Sequence, residues 1–299
     1  MAEAQPQSVT DVLRDRGARV EAALEAALAS PDEASRRLFE AMRYMVLGGG
    51  KRLRPVLVLM AAEACGGSDN AAMGAACGVE MVHTYSLIHD DLPAMDDDAL
   101  RRGRPSCHAQ FGEALAILAG DALLTEAFGV LARDAPDGDV ARRQTAELAA
   151  AAGALGMVGG QVADLEAEAD RARDERRLAI IHHRKTASLI TASAVLGAMA
   201  ARASEHLERS LREYGHRLGL AFQIADDVLD ASATTEELGK TAGKDAAAGK
   251  LTFVTLYGVE AARRRALAEA DGAVDALSPF GHEADLLRDL ARFVVERTS

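Results

Sequence analysis

The sequence is poor in the residues that build sheets and disulfide frameworks. It has no tryptophan, only 4 Tyr and 7 Phe, and aromatic residues make up 4% of its 299 positions. Aromatic and β-branched side chains are typical of strands, whereas the Ala, Leu and Glu that dominate here favour helices. Only 3 cysteines are present, without CxxC spacing. They give no sign of a disulfide scaffold or a Cys-based metal site and predict a reducing, cytoplasmic setting.

A surplus of positive charge is also missing. The chain has 34 Lys and Arg against 46 Asp and Glu, a formal net charge of −12. This balance argues against a general nucleic-acid binder and against a polybasic protein of the membrane surface. No stretch approaches the roughly 18 uncharged apolar residues that a membrane helix needs, and the N-terminus does not resemble a signal peptide. We therefore expect no membrane span and no nucleic-acid partner.

Helical periodicity is the main structural signal. Apolar residues recur at spacings of three and four from about residue 11 to 29 and from 33 to 46, and the pattern continues almost to the end. No strand, βαβ alternation, long linker or internal repeat is evident. Glycine or proline clusters are expected to separate the helices, among them Gly48 to Gly50, Pro93, Gly103 to Pro105, Gly159-Gly160 and Gly239 to Gly243. The sequence predicts one all-α domain covering residues 1–299.

Two runs of aspartate each follow an apolar stretch. The first, Asp90 to Asp98, gathers five acids around Pro93, which should end the preceding helix near Asp91. The second, DDVLD from Asp226 to Asp230, has no breaker, so its three carboxylates share one helix face. Two facing helices could present both runs to one cavity.

The aspartate runs predict a metal site rather than solvated helix ends. Burying several ionised carboxylates unpaired beside apolar segments would cost several kcal/mol each. Hard divalent cations such as Mg²⁺ bind carboxylate oxygens and are often shared with substrate phosphates. The runs therefore indicate a phosphate-bearing substrate.

Basic clusters supply the other half of such a site. GGGKRLRP, residues 48–55, places three cations after a flexible turn, and RRGR, residues 101–104, directly follows the first aspartate run. Later positive charges are Lys185, Lys240, Lys244 and Lys250. Guanidinium and ammonium groups both bind phosphate oxygens. The first cluster lacks the spacing of a Walker loop and is a weak signal alone, but together the clusters favour a diphosphate substrate.

These motifs resemble those of the trans-isoprenyl diphosphate synthases, in the same order. The matching segments are GGGKRLRP, HTYSLIHDDLPAMDDDALRRGRP, GGQVADLEAE, HHRKTASLI, FQIADDVLD and LGKTAGKD, between about residues 48 and 250. The chain is most similar to short-chain farnesyl diphosphate synthases of the bacterial type, whose first motif reads DDxxxxD. The resemblance implies an all-α bundle around a deep central cavity, a homodimer, and Mg²⁺, as three ions with substrate bound, with Mn²⁺ possible. The implied reaction condenses isopentenyl diphosphate head to tail with dimethylallyl and geranyl diphosphate to give farnesyl diphosphate.

The resemblance also implies a role for each matched residue. Metal ions would be held by Asp90, Asp91, Asp96, Asp97, Asp164, Asp226, Asp227 and Asp230. Isopentenyl diphosphate would be bound by Lys51, Arg54, His83 and Arg102, and the allylic diphosphate by Arg101, Lys185, Lys240 and Lys250. Lys185, Thr186 and Gln223 would act at the reacting carbons, and Gln161 belongs to the same GQxxD element as Asp164. Tyr85 and Ser86 would form the floor of the chain-length pocket, where a bulky aromatic marks a stop at fifteen carbons.

Several alternatives stay open at this point. The product could be geranylgeranyl or geranyl diphosphate instead of farnesyl diphosphate. A metal-dependent phosphohydrolase could use His89 with Asp90, although it would leave the second aspartate run unexplained. A noncatalytic partner subunit could share the scaffold, although such proteins commonly have one degraded run. The charged stretch from Glu166 to Arg177 is interpreted as a solvated helix end and loop.

Overall fold

The computed structural model describes residues 8–170, 174–232 and 250–296, and they are almost wholly helical. The first helices are α1 (Val9–Ala27), α2 (Arg36–Val46), α3 (Leu53–Ala64), α4 (Asp69–Asp90), α5 (Cys107–Phe111), α6 (Glu113–Asp134) and α7 (Gly138–Ala152). They are followed by α8 (Met157–Asp170), α9 (Glu175–Ile181), a π-helical turn (His182–Ala187), α10 (Ser188–Ala200), α11 (Glu205–Ser232), α12 (Phe253–Tyr257), α13 (Val259–Ala276), a 3₁₀ turn (His282–Ala284) and α14 (Asp285–Glu296). The predicted all-α fold is confirmed.

One short hairpin corrects the expectation that the chain contains no strand. Strands β1 (Leu100–Arg101) and β2 (Arg104–Pro105) pair antiparallel, with Leu100 opposite Pro105. The two turn residues, Arg102 and Gly103, both have positive φ, at 53° and 72°. A two-residue turn with positive φ at both positions matches the right-handed twist of the strands that it connects. Strands of two residues are too short to produce an alternating sequence pattern, which is why the pattern did not reveal them.

The centre of the bundle is α10. This helix is buried almost all round, as expected of a helix that is apolar on every face. It packs against α3, α4, α7 and α11. The two helices that carry the aspartate runs, α4 and α11, therefore both pack against the same central helix. Outer helices cover them, since α6 packs along α4 and α13 along α11.

The glycine pair at 159–160 does not separate two helices as predicted. It lies inside α8, and the break falls at residues 153–156 instead. Gly160 is required there because α8 approaches the π-helical turn closely: a Cβ on Gly160 would lie 2.2 Å from the backbone nitrogen of Lys185. The predicted break at Gly239 to Gly243 lies outside the described residues.

Two segments are long and apolar enough to pass a membrane-helix test, contrary to the expectation from the sequence. They are Glu113–Asp134 and Gly138–Asp170. The first is α6, which packs along α4, and the second spans α7 and α8 with their intervening break. Helices of a bundle core pass the same test, so length and composition give only weak evidence for a span.

Candidate active site

The first aspartate run folds back on the end of α4. The helix ends at Asp90, as the proline predicted, and the backbone nitrogen of Asp96 donates to the Asp90 carbonyl at 2.9 Å. The nitrogen of Asp98 donates to the Asp91 carbonyl in the same way, at 3.2 Å. This loop brings the Asp96 carboxylate near that of Asp90, so residues six apart in sequence share one site.

The surroundings of Asp90 favour binding of a cation beside its carboxylate. Burial raises the pKa of Asp90 to about 6, the neighbouring Asp96 and Asp91 also raise it, and Lys185 and Arg101 oppose the rise. The carboxylate also lies at the C-terminal end of α4, where the helix dipole disfavours negative charge. An ionised Asp90 is therefore under-compensated by the described side chains.

Asp91 and Arg101 satisfy each other instead of facing a ligand. The Asp91 side chain is fully buried, and the Nε of Arg101 donates to it at 3.0 Å while a second guanidinium nitrogen also contacts it. Arg101 belongs to β1 and is held there by the hairpin. In this structure the pair supports the aspartate loop from behind, and neither residue lines the cavities described below.

The second run occupies the last two turns of α11. Asp227 and Asp230 are buried, and Asp226 is half-buried. Asp227 accepts hydrogen bonds from the Nε2 of Gln223 at 2.9 Å and from the backbone nitrogen of Phe253 at 2.8 Å. The Nε2 of His182 lies 3.4 Å from the same carboxylate. Asp227 thus ties α11 to α12 and to the π-helical turn. Asp226 is the most exposed carboxylate of the run.

A cavity of about 710 Å³ separates the second run from the first basic cluster. On one side it is lined by Lys51, Arg54, His83 and Arg102, and on the other by Asp226, Asp227 and Asp230. The Nη1 of Arg54 lies 3.5 Å from the Nε2 of His83. Burial lowers the pKa of His83 well below its ordinary value, and Arg54 and Arg102 act in the same direction. The imidazole is therefore neutral at pH 7, and the positive charge of this wall comes from lysine and arginine.

A second cavity, of about 490 Å³, lies under the first run. Its lining includes Asp90 and Lys185, and apolar side chains such as Met157 and Ile117 make up most of its wall. Arg54 and His83 line both cavities, so the two adjoin. A mostly apolar wall with a few charged side chains suits a ligand with a charged head and a hydrocarbon tail.

A hydrogen bond links the two cavities. The hydroxyl of Thr186, which lines the second cavity, donates to Oε1 of Gln223 at 2.5 Å, and Gln223 lines the first cavity. Through Gln223 the bond continues to Asp227. Thr186 and Gln223, two of the three side chains predicted to act at the reacting carbons, therefore lie where contents of the two cavities would meet.

The remaining predicted charges divide into pairs. The ammonium group of Lys185 donates to Asp164 at 2.5 Å, and that of Lys250 lies 3.6 Å from Glu168. The first pair connects α8 to the π-helical turn, and the second connects α8 to the segment that precedes α12. Lys240 and Lys244 lie outside the described residues.

Glu168 is a candidate site residue that the sequence analysis missed, since it lies near Lys250 and Lys185. It was interpreted as part of a solvated stretch, but burial raises its pKa, and both Asp164 and Asp96 add to the effect. Glu168 and Asp164 are four residues apart on α8 and share one face. That spacing was the available signal, and it was obscured by the run of charges that follows.

Both chain-length candidates line the second cavity. Tyr85 is buried, with 6% of its surface exposed, and its ring stacks edge-on against His89 with centroids 5.8 Å apart. Ser86 is half-buried and donates to the carbonyl of His83 at 2.9 Å. The Nε2 of His89 lies 3.0 Å from the Ile117 carbonyl, which fits a structural histidine between α4 and α6 better than the base of a phosphohydrolase.

The carboxylates suit a hard divalent cation. Both runs lie at C-terminal ends of helices, where the dipole is negative, and their donors are oxygens alone, as Mg²⁺ prefers. Across the described ranges, no three potential ligands already stand in coordinating positions. Such a donor set fits ions that share their coordination shell with substrate phosphates rather than ions caged by protein alone.

Comparison with known proteins decides the family. Residues 35–276 match the sequence model of the family described as Polyprenyl synthetase. This chain belongs to the polyprenyl synthetase family. A Dimethylallyltranstransferase from Fischerella ambigua is 44% identical over 295 residues, covering 97% of this chain and 84% of that protein. The heterodimeric geranylgeranyl pyrophosphate synthase large subunit 1 of Arabidopsis thaliana is 50% identical over 234 residues, covering 76% of this chain but only 63% of the plant protein.

Solved structures agree with the family. An FPP/GFPP synthase from Zymomonas mobilis superimposes with a TM-score of 0.86 at 39% identity, covering 96% of this chain and 98% of the other. A geranylgeranyl pyrophosphate synthetase from Pyrococcus horikoshii gives a TM-score of 0.89 at 30% identity, with 97% and 98% coverage. This chain is therefore a prenyl diphosphate synthase, and the substrates of such enzymes are allylic diphosphates and isopentenyl diphosphate. Enzymes of this family generally depend on a divalent metal.

Proposed function

We propose that this chain is a Mg²⁺-dependent farnesyl diphosphate synthase, which condenses isopentenyl diphosphate with dimethylallyl and then geranyl diphosphate. The observation that carries the proposal is the pair of adjoining cavities. One is walled by the basic residues around Arg54 and His83, and the other combines Asp90 and Lys185 with an apolar body. Two diphosphate substrates, one with a hydrocarbon tail, fit this division of charge.

Each substrate has its own cationic wall in this proposal. Lys51, Arg54 and Arg102 bind the diphosphate of isopentenyl diphosphate, and neutral His83 hydrogen-bonds to it. Lys185 binds the allylic diphosphate, with Lys250 beside it and Lys240 assigned by resemblance alone. Because Lys185 already pairs with Asp164, the carboxylate fixes the ammonium group in place before substrate arrives.

The aspartates would hold the metal. Asp90 and Asp96 from the first run and Asp226 from the second are the best placed; Asp97, Asp164 and Asp230 are nearby candidates, while Asp91 and Asp227 act mainly as supports. When bound, Mg²⁺ supplies Lewis-acid stabilisation of the departing diphosphate.

The chain's own residues then protect and guide the reacting carbons. Thr186 and Gln223 present oxygen dipoles at the junction of the cavities, where positive charge develops as the allylic bond breaks. The apolar wall of the second cavity keeps water from this centre. The double bond of isopentenyl diphosphate attacks it, and the proton that is then lost goes to the departed diphosphate, so no general base from the protein is needed.

Product length is assigned from Tyr85. Its ring lies in the wall of the second cavity, one and a half helical turns before Asp90, so a tail growing away from the aspartates meets it. A geranylgeranyl product is the second candidate, because relatives from Arabidopsis thaliana and Pyrococcus horikoshii carry that description.

Chromatography of the products distinguishes a farnesyl from a geranylgeranyl diphosphate synthase. The purified chain alone, given isopentenyl and dimethylallyl diphosphates with Mg²⁺, should release the fifteen-carbon product, and Tyr85→Ala should lengthen it by at least one five-carbon unit. Tyr257→Ala, which removes a half-exposed tyrosine that lines neither cavity, is the matched control and should leave length unchanged. Twenty-carbon product from the unaltered chain would reject the farnesyl assignment, and no product would support a noncatalytic subunit.

We also propose that residues 1–299 form one domain, that it is cytoplasmic, and that it functions as a homodimer. The dimer is supported by exposed apolar side chains on α6, on α8 and in the turn before α8, which include Leu118 at 56%, Val162 at 51% and Leu155 at 79% exposure. Covering such side chains is favourable by roughly 25 cal/mol for each Å² removed from water. Sedimentation of Leu118→Asp beside the unaltered chain tests this: a monomer is expected only for the variant.

A further inference from the structure

The basic wall of the first cavity is built from two segments that are distant in sequence. Lys51 and Arg54 follow α2 across the glycine loop at 48–50, whereas Arg102 comes from the turn of the β1–β2 hairpin. All of these side chains line the same cavity. Their spacing therefore depends on how the hairpin is held against the end of α2.

Tyr44, in the last turn of α2, contacts the hairpin in two ways. Its hydroxyl donates to the Pro105 carbonyl at 2.8 Å, and the guanidinium carbon of Arg104 lies 4.2 Å from the centroid of its ring. The ring of Phe111 in α5 also meets it edge-on, with centroids 5.3 Å apart. Because hydrogen bonds and cation–π contacts both depend on where the ring lies, these neighbours fix one arrangement of the hairpin against α2.

The turn of the hairpin lies directly over the glycine loop. The guanidinium group of Arg102 donates to the carbonyl of Gly49. Gly50 has a positive φ of 125°, and a Cβ there would lie 2.6 Å from the guanidinium carbon of Arg102. Tyr44 thus holds the end of β2, while Gly49 accepts a hydrogen bond from the turn. A shift of the hairpin relative to α2 would move this guanidinium group relative to the other cations of the wall.

We propose that Tyr44 is a positioning residue for isopentenyl diphosphate and acts through Arg102. The inference rests on the proposed function, in which the basic wall of the first cavity binds that substrate. A guanidinium group binds phosphate as a planar fork, so its orientation matters as well as its charge. Tyr44 is not among the described residues that line either substrate cavity, so its effect is transmitted by the hairpin. The pair of Arg101 with Asp91 anchors the aspartate loop separately, so the allylic side depends less on Tyr44.

Steady-state kinetics of the full chain in Mg²⁺ tests this, with each substrate varied in turn. Tyr44→Phe removes the hydroxyl and keeps the ring against Phe111. It should raise the KM for isopentenyl diphosphate by roughly threefold to tenfold, the equilibrium equivalent of one net hydrogen bond. The kcat and the KM for the allylic diphosphate should stay within about twofold of the values for the unaltered chain. Tyr257→Phe, which removes the hydroxyl of a half-exposed tyrosine outside the described walls of both cavities, is the matched control and should leave every constant unchanged.

A second variant shows whether the effect passes through Arg102. Arg102→Gln should itself raise the KM for isopentenyl diphosphate, and adding Tyr44→Phe should then raise it by less than about twofold, because the group that Tyr44 positions is gone. Equal increments with and without Arg102 would contradict the proposal. An unchanged KM in Tyr44→Phe would do the same, as would a fall in kcat with the KM of both substrates raised, which indicates a general loss of structure. An unaltered chain that incorporates no isopentenyl diphosphate would overturn the proposed function itself, and this inference with it.

Discussion

A buried ion pair in the wall of the first cavity offers the sharpest test of how its basic side is held. The Nη1 of Arg52 lies 2.6 Å from Glu80, and the side chains are only 2% and 3% exposed. Arg52 also donates to the Val46 carbonyl at 2.5 Å and to Glu21 at 3.0 Å. It immediately precedes α3, the helix that carries Arg54, and has a left-handed φ of 50°. One arginine therefore joins α1, α2 and α4 to the basic loop.

Glu80→Gln removes the charge and keeps the shape. Breaking a buried pair by removing one partner costs about 3–5 kcal/mol, because the other charge stays buried and uncompensated. Since half-exposed Glu21 still pairs with Arg52, we expect a loss near the lower end, about 3 kcal/mol, in the free energy of urea unfolding. Glu205→Gln is the matched control: its pair with Arg209 is 90% and 68% exposed, and it should cost less than about 0.5 kcal/mol.

Two further measurements separate this reasoning from a general loss of packing. Arg52→Gln combined with Glu80→Gln should cost less than the sum of the single changes, because no buried charge is then left unpaired. Glu80 precedes His83 by one helical turn, so Glu80→Gln should raise the KM for isopentenyl diphosphate more than that for the allylic substrate. An unfolding free energy of Glu80→Gln within about 1 kcal/mol of the unaltered chain would refute the argument, because breaking a buried ion pair should cost about 3 kcal/mol or more.

Two other predictions follow from single contacts. Gly160→Ala should lower kcat by about 100-fold, because the new Cβ would displace the backbone of Lys185, whereas Gly129→Ala, whose Cβ would meet nothing nearer than 3.7 Å, should leave kcat unchanged. His83 has a lowered pKa in the folded chain, so its contribution to stability is complete above its unfolded pKa of about 6.5 and is lost as the pH falls below that value. Urea unfolding from pH 7.5 to 5.5 should therefore depend less on pH in His83→Gln; parallel curves would contradict this.

Elements set by local patterns could be predicted from the sequence. The apolar periodicity indicated α1 and α2 to within a few residues, and Pro93 correctly predicted the end of α4. The hairpin was missed because two-residue strands have no period. Gly159-Gly160 was misplaced because a glycine that ends a helix and one that admits a neighbouring backbone look alike in sequence.

The candidate site could be predicted by residue type but not by individual contacts. The motifs indicated the aspartates, yet only the fold shows Asp91 enclosed by Arg101 and Asp227 held by the backbone of Phe253. Such supports depend on partners distant in sequence, which no spacing reveals. For the same reason Glu168 was taken for solvated, because its neighbour Lys250 lies beyond α11.

The central claim is that both aspartate runs hold Mg²⁺ for the transfer of an allylic group to isopentenyl diphosphate. Its most direct test is incorporation of labelled isopentenyl diphosphate into allylic product at saturating Mg²⁺. Asp90→Asn and Asp226→Asn should each lower the rate by roughly 100- to 1,000-fold, as loss of electrostatic stabilisation does. Asp289→Asn, which alters a half-exposed surface aspartate, should not change the rate. The account predicts no incorporation when a chelator removes the metal, and near-normal rates in either site variant would contradict it.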